Sequence, residues 1–215
     1  VNTPEAMVYP LAGTARFEEA AMDEITALLQ GKHAVVAGPG MGADEVAGMM
    51  MVQILQSCSC GVVADADMLN TAEFWLDEVA ESACQVILTP HPGEMARLTG
   101  LSTAYIQSHR LEVAQSFAEA HRVWLVLKGA NTVIATPQGQ LYMNITDSPA
   151  LATAGSGDVL SGMIGSFLAQ GMSPEDACCA AVYAHGCAGQ LMAEQFGEVG
   201  SKAGDIIAML PHVLK

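Results

Sequence analysis

Short apolar runs, rich in β-branched residues, alternate with longer segments whose apolar positions have helical spacing over much of the chain. This alternation is typical of a parallel sheet covered by helices. Each predicted strand ends at or just before a Gly, Pro or Asp signal. The four strands are His33 to Ala37, Val62 to Asp65, Gln85 to Thr89 and Val123 to Leu127. Ligands are expected at the carboxyl ends of these strands.

Two further runs, Thr132 to Thr136 and Leu141 to Asn144, flank a turn that contains Pro137-Gln-Gly139, and they predict an antiparallel hairpin at one side of the sheet. After Gly157 the pattern becomes helical. The predicted helices are Asp158 to Ala169, Pro174 to Glu194 and Ala203 to Leu214. The predicted fold class is therefore α/β, with a mostly parallel central sheet, helices on both faces, the hairpin and a helical C-terminal part, in a single domain over residues 1–215.

The composition of the chain limits the kinds of partner that we expect it to bind. The chain has 215 residues, 51% of them hydrophobic, which is enough for one large core. Eight basic and 23 acidic residues give a net charge of −15, so neither nucleic acid nor an anionic membrane is an expected partner. Six cysteines without Cys-x-x-Cys or zinc spacing predict core thiols in a reducing compartment, the cytoplasm. No signal peptide or bilayer-spanning run is recognised.

The segment Leu151 to Gly162 contains the most informative loop. Gly155 and Gly157 allow successive backbone N–H groups to converge beside a helix start, which is a favourable place for a phosphate. Asp158 would be unfavourable next to an anion unless it takes a proton from a hydroxyl that attacks the phosphoryl group. The alternative is an Asp that caps the helix after a glycine-rich turn.

Four more loops with ligand-binding chemistry follow the predicted strands. Gly38 to Gly42 would bring backbone close to a ligand, and the acids in Asp65 to Asn70 could orient a hydroxyl or hold a metal through water. Thr89 to Glu94 presents His91, a donor or acceptor suited to an amide, and Lys128 to Thr132 offers an ammonium for phosphates. Tight turns and helix caps are the alternatives, with Glu94 expected to be a first-turn helix residue. Together the loops favour an enzyme.

The chain resembles the nucleotide-dependent NAD(P)H-hydrate dehydratases, which are ribokinase-like repair enzymes. The likeness runs in order from near Val35 to near Asp205. The matching strings are Gly38-Pro-Gly-Met-Gly42, Asp65-Ala-Asp-Met-Leu-Asn70, Leu88-Thr-Pro-His-Pro-Gly-Glu-Met-Ala-Arg-Leu98, Val126-Leu-Lys-Gly-Ala-Asn-Thr132, Ala152-Thr-Ala-Gly-Ser-Gly-Asp-Val-Leu-Ser-Gly162 and Tyr183-Ala-His-Gly-Cys-Ala-Gly189.

The resemblance implies a ribokinase-like fold and a specific reaction. The substrate would be hydrated NADH or NADPH, which carries a hydroxyl on the reduced nicotinamide ring. Water would be removed at the expense of ADP or ATP, through phosphorylation of that hydroxyl and elimination of phosphate. Asp158 would be the catalytic base. A Mg²⁺ ion bridging phosphate oxygens is expected, without a dedicated protein cage.

The resemblance also implies residue roles. The nucleotide would contact Lys128, Gly129, Ala130, Asn131, Thr132 and Gly157. The anion hole would be formed by the backbone of Ala154, Gly155, Ser156 and Gly157. The hydrate would contact Gly42, His91, Asp158, Asp65 and Asn70. A homo-oligomer is expected, because the stretch Ala177 to Glu194 is rich in Ala, Cys and Gly and suits close helix packing, although core burial explains it equally well.

Two departures from the family pattern keep alternatives open. Family members usually have a strand and a Gly- and Ala-rich helix before the segment that resembles Val1 to Leu11, and this chain does not include them. Ser148 stands where many relatives carry Asn. The alternatives are a ribokinase-like kinase for a small alcohol, of the hydroxyethylthiazole-kinase type, and an inactive remnant that binds nucleotide.

Overall fold

In the computed structural model, which describes residues 5–11 and 21–215, one six-stranded sheet has its strands in chain order. Strands β1 to β4 are parallel, and β4, β5 and β6 are antiparallel. The strands are β1 (Ala34–Ala37), β2 (Gly61–Ala64), β3 (Gln85–Leu88), β4 (Trp124–Leu127), β5 (Val133–Ala135) and β6 (Leu141–Met143). All six overlap their predicted ranges, and the hairpin forms one side of the sheet as predicted.

Helices cover both faces of the sheet. Because the parallel strands follow one another in order, crossovers of one hand place their helices on the same face. The first group comprises α1 (Ala21–Leu29), α2 (Glu45–Ser57), α3 (Asp67–Asn70), α4 (Pro92–Thr99), α5 (Thr103–Ser108) and α6 (Arg110–His121). The C-terminal group comprises α7 (Ser156–Ala169), α8 (Pro174–Phe196) and α9 (Ala203–Val213). Short 3₁₀ turns occupy Ala72–Phe74, Leu76–Glu81 and Pro149–Leu151.

Alternation along the strands divides the core into two layers. On β2, Val62 and Ala64 pack with the first helix group, whereas Val63 packs with α7 and α8. Both faces of β2 are fully buried, which explains its uninterrupted apolar sequence. The C-terminal helices therefore cover the second face of the sheet. The first turn of α7 reaches the carboxyl edge of the sheet.

Three details differ from the sequence predictions. Helix α7 begins at Ser156 rather than Asp158, because Gly155 has a left-handed φ of +81° and starts the helix earlier. Helix α8 continues to Phe196, beyond the predicted Glu194. All six cysteines are free, but only Cys178 is fully buried and the others are half-buried. Within the described residues, no helix combines the length and apolarity needed to span a bilayer.

The small residues of α8 serve packing within the chain. A Cβ on Gly186 would lie 2.5 Å from the backbone oxygen of Thr146, and one on Gly189 would lie 2.5 Å from the Leu151 side chain. The glycines therefore let the segment between β6 and α7 lie directly on α8. This contact accounts for the sequence feature that suggested a subunit interface.

Candidate active site

A cavity of about 650 Å³ opens where α4, the loop after β4 and the first turn of α7 meet. This position follows the rule that ligands bind beyond the carboxyl ends of parallel strands. Its wall is continued by the segment between β6 and α7 and by one turn of α8. The polar side chains in its lining come from His91, Lys128, Thr132, Asn144, Thr146, Asp147, Ser148, Thr153, Ser156 and His185.

Lys128 carries the positive charge of this cavity. It follows β4, and its Nζ donates to Oδ1 of Asp65, at the end of β2, over 2.8 Å. Nζ also lies 3.8 Å from Oε2 of Glu94 in the first turn of α4. The Lys128 side chain is 18% exposed and that of Asp65 only 1%, so the ion pair is largely removed from water. Two carboxylates from different loops therefore hold the ammonium in place.

The Lys128 backbone is also anchored. Its N–H donates to the carbonyl of Pro90 over 2.8 Å, which ties β4 to the loop after β3. The Arg110 guanidinium donates to the carbonyls of Leu127 (2.8 Å) and Lys128 (3.3 Å). Arg110 lies on α6, far from any recognised motif, and sequence analysis did not identify it. These hydrogen bonds thus fix the backbone that carries the ammonium.

The first turn of α7 lies beside Lys128, where the sequence predicts an anion site. A Cβ on Gly157 would lie only 3.0 Å from the Lys128 Nζ, so the helix backbone and the ammonium are nearly in contact. Unpaired N–H groups of a first helical turn attract anions. Ser156 and Gly157 line the cavity. Ala154 and Gly155 come just before helix α7 and are not part of the lining. The predicted nucleotide loop and anion loop therefore meet at one place.

Asp158 lies in the same first turn, next to Gly157, but it is not among the residues that line the cavity. It is exposed, and no described residue pairs with its carboxylate. The alternative interpretation of Asp158 as the cap does not apply, because Gly155 occupies the N-cap position. A carboxylate at this position is accessible to a hydroxyl brought next to the anion site, which is the geometry that a general base requires.

His91 has a structural and a chemical role. It is the N-cap of α4, where its Nδ1 accepts hydrogen bonds from the N–H groups of Gly93 (2.9 Å) and Glu94 (3.3 Å). Glu94 completes a capping box by accepting from the His91 N–H over 2.7 Å, which confirms its predicted place in the first turn. An accepting Nδ1 carries no proton, so the ring bears its proton on Nε2. This Nε2 lies 3.6 Å from Oε1 of Glu94, and the ring lines the cavity.

The loop after β4, which is predicted to contact the nucleotide, is compact. The Thr132 hydroxyl donates to the Gly129 carbonyl over 3.1 Å and closes the loop. Gly129, Ala130 and Thr132 line the cavity, whereas Asn131, in the left-handed region at φ +54°, does not. Three of the four predicted loop contacts after Lys128 thus lie in the cavity wall.

The predicted hydrate contacts divide into two groups. His91 lines the cavity, and Asp65 lies beneath it with one oxygen, Oδ2, that has no hydrogen-bond partner among the described residues. Gly42 donates its N–H to the Asp67 carboxylate over 2.9 Å, and Asn70 accepts from Arg97 over 2.8 Å. Gly42 and Asn70 lie outside the lining of the cavity, and the Asn70 oxygen is occupied within the protein.

One turn of α8 supplies residues that sequence analysis did not assign. His185 is buried and lines the cavity, with its Nε2 3.1 Å from the Ser156 carbonyl oxygen and 3.2 Å from the Ser156 hydroxyl. Burial lowers the pKa of His185 to about 4, and the nearby charge of Lys128 acts in the same direction. The only sequence signal was its place in the string Tyr183 to Gly189. His185 is thus a neutral ring beneath the anion site.

The opposite wall is formed by the segment between β6 and α7. Asn144 donates to the carbonyls of Thr146 and Val182, and Thr146 donates to Asn144 over 2.8 Å. Ser148, which departs from the family pattern, is buried and accepts from the Ala150 N–H over 3.3 Å. Its hydroxyl therefore caps the following 3₁₀ turn. Over the described residues, no group of three or more His, Cys, Asp or Glu is arranged to hold a metal ion.

Comparisons with known proteins identify the family of the chain. The sequence model of the family described as NAD(P)H-hydrate dehydratase matches residues 1–212. The chain is 39% identical to the bifunctional NAD(P)H-hydrate repair enzyme Nnr of Moorella thermoacetica, over all of this chain and 41% of that protein. It is 38% identical to the ADP-dependent (S)-NAD(P)H-hydrate dehydratase of Neisseria meningitidis, over 92% of this chain and 69% of that one. The chain thus spans about two fifths of the bifunctional relative.

Solved structures give the same result. The ADP/ATP-dependent NAD(P)H-hydrate dehydratase of Bacillus subtilis, co-crystallised with ATP/Mg²⁺, superposes with a TM-score of 0.81 and 32% identity, over 91% of this chain and 69% of that one. A ribokinase-like superfamily protein of Enterococcus faecalis superposes with a TM-score of 0.74 over 90% and 67% of the two chains, at 24% identity, which supports the predicted fold alone. With the family match along almost its whole length, the chain belongs to the NAD(P)H-hydrate dehydratase family.

Proposed function

We propose that this chain dehydrates the hydrated forms of NADH and NADPH, with ADP or ATP as the phosphoryl donor. The observation that carries the proposal is the meeting of Lys128 with the first turn of α7, 3.0 Å from a Cβ position on Gly157. An ammonium and a helix N-terminus together form a site for the transferred phosphoryl group. Family membership supplies the substrate class, because the relatives are named for this hydrate.

The first step transfers a phosphoryl group. The ring hydroxyl attacks the terminal phosphorus, a new O–P bond forms, and the bond from phosphorus to the leaving nucleotide oxygen breaks. Asp158 accepts the proton of the hydroxyl. Charge that develops on the transferred group is stabilised by the Lys128 ammonium and by the N–H group of Gly157, since the Ser156 N–H already donates to the Thr153 carbonyl over 3.2 Å. ADP would leave as AMP, and ATP as ADP.

The second step releases phosphate from the ring. The ring C–O bond breaks with its electrons on the departing phosphate, and the neighbouring ring carbon loses a proton to water, whereupon the electrons of that C–H bond restore the double bond of the dihydronicotinamide. His91, with its proton on Nε2, is suited to donate to the carboxamide oxygen of the ring and to hold it beside Asp158. Phosphorylation thus converts a poor leaving group, hydroxide, into a good one.

Magnesium fits the site as an ion held mainly by the nucleotide. Mg²⁺ usually keeps several waters and binds phosphate oxygens with only one or two carboxylates, so it does not need a cluster of three protein ligands. Asp158, an exposed carboxylate in the first turn of α7, would face such an ion through water, which leaves its oxygens free to act as the base. The ion would neutralise part of the phosphate charge, which matters in a chain of net charge −15.

The proposal is tested by absorbance in the dihydronicotinamide band, with purified hydrated NADH, Mg²⁺ and either ADP or ATP. We expect a nucleotide-dependent rise, and we expect Asp158→Asn to slow it about 10²- to 10⁴-fold, the usual contribution of a general base. Asp176→Asn is the matched control, because Asp176 is an exposed acid in the first turn of α8.

Three other outcomes would argue against the proposal. A phosphorylated product that accumulates without the absorbance rise would indicate the small-alcohol kinase. Nucleotide binding without any turnover would indicate the remnant. Equal activity of Asp158→Asn and Asp176→Asn would remove Asp158 from its role as base. Comparing ADP with ATP, and the NADH hydrate with the NADPH hydrate, identifies the preferred pair.

A further inference from the structure

The Ser156–His185 contact has a defined direction. A carbonyl oxygen can only accept, so the His185 Nε2, 3.1 Å from the Ser156 carbonyl, must carry a proton. Because burial lowers the pKa of His185 to about 4, the ring is neutral near pH 7 and its other nitrogen, Nδ1, is unprotonated. The ring is thus held as a single tautomer by the backbone of the first residue of α7.

The same proton constrains the Ser156 hydroxyl. This oxygen lies 3.2 Å from the protonated Nε2, so it accepts there, in a three-centre bond shared with the Ser156 carbonyl. A hydroxyl that accepts from His185 keeps its own hydrogen for another partner. Ser156 is buried, and it lines the cavity beside Gly157. A ligand in the cavity is therefore an available acceptor for this hydrogen.

The helix that carries His185 is itself held on both sides. One residue further on, Gly186 lets α8 approach Thr146 so closely that a Cβ would lie 2.4 Å from the Thr146 hydroxyl. Three residues earlier, the Val182 carbonyl accepts from Asn144 over 3.4 Å. The turn of α8 that carries His185 thus contacts the segment between β6 and α7 both before and after His185, which fixes the position of the ring relative to the first turn of α7.

We propose that His185 is a positioning residue that orients the Ser156 hydroxyl to donate to the phosphoryl group bound at the first turn of α7. The inference rests on the proposed function for what is bound, and it adds a side-chain donor to the backbone N–H groups of the anion site. His185 touches no reacting atom and acts through Ser156. Donors fixed in advance at a developing charge are the ones that accelerate phosphoryl transfer.

Steady-state kinetics of five proteins test the pair: the unaltered chain, His185→Leu, Ser156→Ala, the double variant and His185→Gln. Loss of one donor to the developing charge is expected to lower kcat about 10-fold or more in each of the first two variants, with a smaller change in KM for the nucleotide. The double variant should be no slower than the slower single one. His185→Gln should recover most of kcat, because the Gln amide places a donor near the position of Nε2.

The outcomes separate a positioning role from a purely structural one. Effects of His185→Leu and Ser156→Ala that multiply in the double variant, or a Gln variant as slow as the Leu variant, would overturn the proposal. So would a loss confined to thermal stability, with kcat unchanged. Ser156→Ala keeps the test valid if His185→Leu does not fold.

A second measurement does not depend on turnover. Nitrogen-15 NMR of the imidazole rings, assigned by comparison with His185→Gln, should show His185 as the neutral tautomer protonated at Nε2 at pH 7. Ser156→Ala should shift that signal. A ring protonated at Nδ1, or one unaffected by Ser156→Ala, would refute the inference even if the chain does not dehydrate the hydrate. Failure of the proposed function and failure of this inference are therefore distinguishable.

Discussion

Gly157→Ala is expected to weaken nucleotide binding without unfolding the protein. The added Cβ would lie 3.0 Å from the Lys128 Nζ and 3.7 Å from Oδ2 of Asp65. Comfortable contacts between such atoms begin at about 3.5 Å, so the ammonium has to withdraw by about 0.5 Å. It is held 2.8 Å from Oδ1 of Asp65, so the withdrawal also strains the ion pair.

The magnitude follows from the contact that is lost. A hydrogen bond to a charged group contributes about 1.5–3 kcal/mol, and a displaced ammonium forfeits a large part of it. A loss near 1.4 kcal/mol corresponds to about a 10-fold rise in Kd for ADP. Stability should move little or in the other direction, since Ala is favoured over Gly in a helix by about 0.5–1 kcal/mol.

Titration calorimetry with ADP and urea unfolding measure the two effects separately. Gly162→Ala is the matched control, because Gly162 lies on the same helix and a Cβ there meets no atom within 4 Å. The control should gain stability and bind ADP like the unaltered protein. If Gly157→Ala binds ADP as tightly as Gly162→Ala, the nucleotide phosphates do not lie between Lys128 and α7, and the reasoning fails.

Three further predictions concern stability. Lys128→Met leaves the Asp65 carboxylate buried without its counter-charge and should lower the free energy of unfolding in urea by about 3–5 kcal/mol. Adding Asp65→Asn should recover part of this loss, and no recovery would contradict the pairing. The pKa of His185 falls from 6.5 to about 4 on folding, so only the unfolded state gains a proton between these values. The free energy of unfolding should therefore decline as pH falls from 6.5 to 4, by about 3 kcal/mol more in the unaltered chain than in His185→Gln. Parallel pH profiles of the two proteins would refute this. Gly186→Ala should lower stability by about 1–3 kcal/mol, because its Cβ would lie 2.4 Å from a Thr146 atom; a melting temperature equal to that of Gly162→Ala would count against it.

Local patterns were sufficient to predict the sheet and the loops at its carboxyl edge. Apolar runs that end at Gly, Pro or Asp identified the strands, and the loops that follow them contain Lys128 and Asp65. Their pairing could not be predicted, because the two residues are 63 positions apart and their meeting depends on the order of the strands in the sheet. The same holds for Glu94, whose place in a first helical turn was predicted but whose approach to Lys128 was not.

Residues on separate helices were the hardest to predict. His185 meets Ser156 across 29 positions, and helical spacing gives no sign of which neighbour a buried face will contact. The family resemblance placed Asn70 in the hydrate site, yet its oxygen accepts from Arg97 on a later helix. Sequence chemistry identifies which groups can bind a ligand, but the tertiary contacts decide which of them remain available.

The ammonium held between two carboxylates has a consequence for the speed of ligand capture. Lys128 has Asp65 at 2.8 Å and Glu94 at 3.8 Å, so its field is largely cancelled a short distance from the site. A nucleotide that diffuses toward a chain of net charge −15 therefore meets repulsion at long range and attraction only on arrival. Physiological salt screens that repulsion over about 8 Å, so added salt should speed the encounter rather than slow it. Capture of the nucleotide therefore depends on the geometry of the final contact. A cation bound to the nucleotide phosphates assists the approach, because it reduces the charge that the protein repels.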